Sequence, residues 1–161
     1  SFEELSYEIY GPHGAAILAE ISTDNRNRTS ADIRAILTRN DGKMATAGSV
    51  SRLFHRKGQI MIARDAANED ELMELALEAG AEDFKAESEG YEVLTAPEDF
   101  EAVHQVIDAK EIAMETAEIT QLPEMVAPVR SEAELEKVHK LVDLLEDHDD
   151  VQSVYTNAEM A

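Results

Sequence analysis

QIMIARDAANEDELMELALEAGAEDFKAESEGYEVLTAPEDFEAVHQVIDAKEIAMETAEITQ, residues 59–121, reads as six elements in a row. Residues 59–64 are a short apolar run suited to a strand. At 69–79, Leu72, Leu75, Ala76 and Ala79 fall at helical spacing with acids between them, the pattern of a helix with one buried face. Two further strands, 82–87 and 91–95, flank the turn residues Glu89-Gly90. A second helix over 98–109 opens at A-P-E-D and turns Phe100, Val103 and Ile107 inward, and a last strand covers 113–121. This β-α-β-β-α-β order is the ferredoxin-like unit.

Working outward, neither flank has enough strands to stand alone. Upstream, Leu5–Tyr10 and Ala15–Ser22 read as a hairpin around G-P-H-G. A helix follows with Ile33, Ile36 and Leu37 on its apolar face. Thr29, with Asp32 three residues on, is the expected N-cap, and N-D-G at 40–42 the stop. Downstream, residues 125–129 are extended. Ser131 and Glu134 then form a capping box before a stripe of Leu135, Val138, Leu141, Val142 and Leu145, and residues 151–155 make a closing strand. The fold class expected is therefore α+β: two ferredoxin-like α/β domains, one inserted into the other. Residues 1–57 and 123–161 form the discontinuous domain and 58–122 the insertion, with QLPEMVAP as the return linker.

The 161 residues include no cysteine, which excludes disulfides and thiolate metal sites. Aromatics are 5% with no tryptophan, a poor basis for stacking on bases or sugars. No apolar run approaches the roughly 20 residues of a membrane helix, and SFEELSYEIYG lacks the marks of a secretory signal. The expectation is a cytoplasmic protein with no membrane partner. His13, His55, His104, His139 and His148 share no metal-ligand spacing. No nucleotide-binding or nucleophile motif occurs. No metal, no cofactor and no enzymatic activity are expected.

Charge is the informative feature. The formal net charge is −21, yet residues 26–64 hold nine Lys/Arg against two acids, a net of +7. Residues 65–161 carry −23 and residues 1–25 carry −5. A concentrated basic block suits an anion such as phosphate. Its candidate contact residues are Asn25, Arg26, Asn27, Arg28, Arg34, Arg39, Lys43, Arg52, Arg56 and Lys57. Arginine offers a two-pronged donor fork to phosphate or guanine, and the helix start adds free N–H groups. Arg26, Arg28, Arg34 and Arg39 should present one exposed basic face, with Arg26 and Arg28 ahead of the cap. The other reading makes Asp24 and Asn25 turn and cap residues, and the arginines braces against the chain's own carboxylates.

YGPHGAAILAEISTDNRNRTSADIR, then GSVSRLF, GAEDF, TAPEDF and DDVQSVYTNAEM, resembles the YebC family along essentially the whole chain. Its members are described as probable transcriptional regulators, and a mitochondrial relative as a translational activator of cytochrome oxidase subunit I. The resemblance implies a basic helical N-terminal domain, absent from this sequence, followed by two α+β domains with the third inserted into the second. It implies a nucleic-acid-binding regulator of gene expression acting on promoter DNA. The alternative is a translation factor on messenger or ribosomal RNA, with the ribosome as a further partner. A third possibility, resting on fold analogy alone, is a small-molecule-sensing regulatory domain.

Overall fold

A computed structural model describes residues 1–161, and the chain divides into two units. Unit one comprises residues 1–55 and 122–161, unit two residues 56–121.

Unit one is built on the hairpin of β1 (Glu3–Tyr10) and β2 (Ala16–Thr23), paired antiparallel from Glu3↔Thr23 to Tyr10↔Ala16. The two-residue strand β3 (Lys43–Met44) adds to one edge, and β9 (Val151–Thr156) to the other, giving the order β3-β1-β2-β9. Helices α1 (Arg26–Arg39) and α4 (Glu132–Glu146) cover one face. Ile9, Ile17, Ala19 and Ile21 of the sheet meet Ile33 and Leu37 of α1 and Leu141 and Leu145 of α4 in a dry core. Each of these isoleucine and leucine side chains contributes about 1.5–3 kcal/mol by leaving water. The opposite face carries a smaller cluster of Ala16, Leu18, Val50 and Phe54. Ser131 caps α4 as its spacing suggests, accepting the Glu134 N–H at 3.2 Å. A separate parallel pair, β8 (Ala127–Val129) with β10 (Ala158–Met160), completes the unit.

Unit two contains β4 (Phe54–Ala63, whose first two residues belong to unit one), α2 (Glu69–Ala79), β5 (Asp83–Ala86), β6 (Gly90–Thr95), α3 (Phe100–Ala109) and β7 (Thr116–Pro123, whose last two residues belong to unit one). The strand order is β5-β6-β4-β7, with β6 antiparallel to both β5 and β4. This is the ferredoxin-like arrangement, second strand outermost and first strand between third and fourth. Ile60, Ile62, Tyr91 and Val93 alternate inward from the sheet onto Leu72, Ala76, Phe100, Val103 and Ile107. Asn68 caps α2, and Gly80, at φ +116°, ends it. Gly58 is required by packing: a Cβ there would collide with Thr95 Oγ1 and come within 2.7 Å of the Phe100 ring.

Both units are two-layer α/β structures, a four-stranded sheet under two helices, but their connections differ. In unit one the central strands are consecutive in the chain, and the outer strand β9 arrives from the C-terminal segment. Hydrophobic period locates strands but carries no information on which neighbour a strand takes, so this ordering could not be read from the pattern.

Candidate functional site

Asn25, not Thr29, is the N-cap of α1: its side chain accepts the Arg28 N–H at 3.0 Å, while its own N–H bonds to Thr23 Oγ1 at 3.0 Å. Arg26, Asn27 and Arg28 thus form the first turn of the helix. No acid stands in that turn. Cations beside the positive end of a helix dipole are unfavourable unless an anion answers them.

Asp150 supplies that anion. Thr29 is fully buried, and its hydroxyl donates to Asp150 Oδ2 at 2.7 Å. Thr23 Oγ1 lies 2.7 Å from Thr29 Oγ1, so donors run in one direction from the Asn25 N–H through both threonines to the carboxylate. Arg28 reaches the same oxygen at 3.0 Å and Asp24 at 3.2 Å. The Thr29 and Arg28 hydrogen bonds hold the Asp150 carboxyl below its usual range, and the bond and charge of Asp150 raise the Arg28 guanidinium. His148 Nδ1 accepts the Asp150 N–H at 3.0 Å, which leaves the ring proton on Nε2 facing Asp32 Oδ2 at 2.8 Å. A shallow cleft of about 510 Å³ opens beside Arg28, Asp32, His148 and Asp150. Arg28 is a brace joining α1 to the turn before β9.

The remaining candidates separate. Arg26 stands 3.7 Å from Glu3, a loose exposed pair, and Asn27 is exposed. Arg34 and Arg39 on α1, Lys43 on β3 and Arg52 in a 3-10 turn (Ser51–Leu53) are exposed, and their side chains make no ion pair or hydrogen bond. The four arginines do not share one face. At 3.6 residues per turn, Arg28 and Arg39 project along one flank of α1, Arg34 along the other, and Arg26 lies nearer the buried stripe. Arg56 and Lys57 belong to unit two, where Lys57 Nζ is held 2.6 Å from Glu82.

The loop carrying Arg52 is set by Glu8, which nothing in its local sequence marks. Glu8 Oε1 accepts the N–H groups of Val50 (2.9 Å) and Ser51 (2.6 Å), and Oε2 that of Gly48 (2.8 Å). Burial opposes ionisation of Glu8, but these three backbone donors outweigh it and lower its pKa. Asp150 and Thr23 also escaped sequence reading, while sequence marks Thr29 as a helix cap and His148 as a histidine with no ligand partner. In D-H-D-D an acid looks solvated, and nothing local shows that one will be buried against a helix start more than a hundred residues away.

Nowhere do three or more His, Asp or Glu side chains converge as a set that could hold a metal ion, and no helix is long and apolar enough to cross a membrane.

Residues 2–158 match a family model described as the TACO1/YebC second and third domain. A "Probable transcriptional regulatory protein" of Syntrophobacter fumaroxidans is 48% identical over 98% of this chain and 63% of its own length. One of Carboxydothermus hydrogenoformans, similarly named, is 49% identical over 99% of this chain and 66% of its own. The crystal structure of a conserved hypothetical protein, Aq1575, from Aquifex aeolicus superposes with a TM-score of 0.80 at 39% identity. The match covers 99% of this chain and 66% of that one. The chain therefore spans just under two thirds of the length of these relatives.

Proposed function

Since the chain belongs to the TACO1/YebC family, we propose that it forms part of a nucleic-acid-binding regulator of gene expression, with promoter DNA as its target. In this reading the exposed cations of unit one, Arg34 and Arg39 on the two flanks of α1, Lys43 of β3 and Arg52 of the 3-10 turn, contact the phosphate backbone. The observation that carries it is their lack of partners. The chain has 35 acids and 14 Lys/Arg, so a cation with no other task could readily find a carboxylate. These four have none, whereas Arg28 and Lys57 are engaged. The names of the relatives, probable transcriptional regulatory proteins, support the regulatory role.

The test is fluorescence anisotropy on duplex DNA and on single-stranded RNA of matched length, across a salt series. Arg34→Ala and Arg39→Ala should each weaken DNA binding about equally for all sequences and reduce the log–log salt slope by about 0.9, one released counterion. Their unfolding free energies should stay within about 0.5 kcal/mol of the parent, as for exposed charges generally. Arg28→Ala should instead lower stability. Unchanged affinity in both surface variants would remove the interface, and tighter binding of the RNA would move the target from DNA to RNA.

A further inference from the structure

Unit two holds 18 acids and 5 bases, a net of −13, and so repels any polyanion. A cleft of about 530 Å³ runs along α2. Leu75 and Ile112, both half-buried, give it an apolar floor over the buried Leu72. Glu71, Glu74 and Glu78 form its wall, all three exposed and none ion-paired. Their spacing of three and then four residues puts them in one row, about 10 Å from first to last at 1.5 Å per residue. Lys110 is the single cation on the lining, and it is unpaired.

We propose that this cleft receives a basic amphipathic helix of a protein partner, its apolar stripe on Leu75 and Ile112 and its Lys or Arg residues against the row of glutamates. Helix-in-groove docking uses apolar anchors at i, i+3 or i+4 and i+7, and cations at the same repeat flank them. The row of carboxylates extends over two turns of such a helix. Charge complementarity selects the occupant: a nucleic acid or an acidic protein would meet three unpaired carboxylates, and a neutral helix would leave them desolvated without partners. The proposal does not depend on the nucleic-acid reading of unit one.

The probe is a short fluorescein-labelled Leu/Lys peptide with helical amphipathic spacing, set against a scrambled peptide of identical composition. The ordered peptide should bind the full chain at least about tenfold tighter than the scramble, a difference worth several exposed ion pairs. Bound peptide should slow amide exchange in residues 66–78 and 110–112. E71K/E74K/E78K should lose the preference, and the milder E71Q/E74Q/E78Q should reduce it. E89K/E101K/E118K, with the same change in net charge elsewhere on unit two, should keep it. Equal binding of both peptides, equal loss in both lysine variants, or protection confined to other elements would overturn the proposal. A concentration-dependent dimer that the cleft variants abolish would replace the partner helix with a second copy of this chain.

Discussion

Thr29→Val tests whether the buried carboxylate at the base of α1 is held as described. The substitution keeps volume, β-branching and helix propensity, so it isolates one hydroxyl. That hydroxyl is fully buried, donates to Asp150 Oδ2 at 2.7 Å and sits 2.7 Å from Thr23 Oγ1. A hydrogen bond to an ionised group contributes about 1.5–3 kcal/mol. Part is recoverable, because Thr23 Oγ1 lies 3.4 Å from the same carboxylate oxygen and can turn its proton to it. The expected loss is about 1–2 kcal/mol at pH 7, measured by urea unfolding with tyrosine fluorescence, since Tyr7, Tyr10 and Tyr155 belong to unit one. The pH dependence has a fixed sign. The pKa of Asp150 is depressed in the folded state. Its contribution is therefore present above the unfolded value, about 3.9, and is lost as the pH falls through the folded one. The gap between parent and variant should narrow from pH 7 toward about pH 3. Equal stability at pH 7, or a gap that does not change with pH, would refute the network.

Gly58→Ala should destabilise unit two by about 1–3 kcal/mol, because Thr95 and Phe100 must move to admit the methyl group; the midpoint of urea unfolding reads it. Glu8→Gln should cost about 1–2 kcal/mol, since an amide cannot offer two acceptors to three backbone donors. It should also raise amide exchange at Gly48, Val50 and Ser51. The pKa of Glu8 is lowered in the folded state, so this loss too should shrink as the pH falls below about 4.

The two-layer fold was legible wherever one period ran long enough to dominate. Leu72 and Ala76 on α2, Phe100, Val103 and Ile107 on α3, and Val138, Leu141 and Leu145 on α4 all turn inward at the positions their spacing marks. The start of α1 was misplaced because Asn25 and Thr29 are both good capping types. Asn25 takes the cap because the Thr29 hydroxyl is drawn to Asp150. Strand β3 escaped notice because two residues carry no period, and β4 begins at Phe54 rather than 59 because His55, Arg56 and Lys57 mask its alternation. At the candidate site, sequence located the cations but not their anions. Arg28 and Arg34 look alike in the sequence, and only the position of Asp150 makes one a brace and leaves the other unpaired.

That difference bears on how so acidic a chain could hold a polyanion at all. Salt screens exposed charges over about 8 Å at 0.15 M and about 30 Å at 0.01 M. At the higher salt a phosphate beside Arg34 or Arg39 feels these cations and their immediate neighbours, and the net −21 of the chain hardly reaches it. At low salt the same phosphate meets the field of the whole acidic body. Lowering the salt therefore strengthens contact and repulsion together, and the measured slope falls short of the number of phosphates touched. A shallow slope is then the signature of a local interface on a repelling body. The interface is counted from the difference in slope between the parent and Arg34→Ala or Arg39→Ala, in which the repulsion, nearly common to both proteins, cancels.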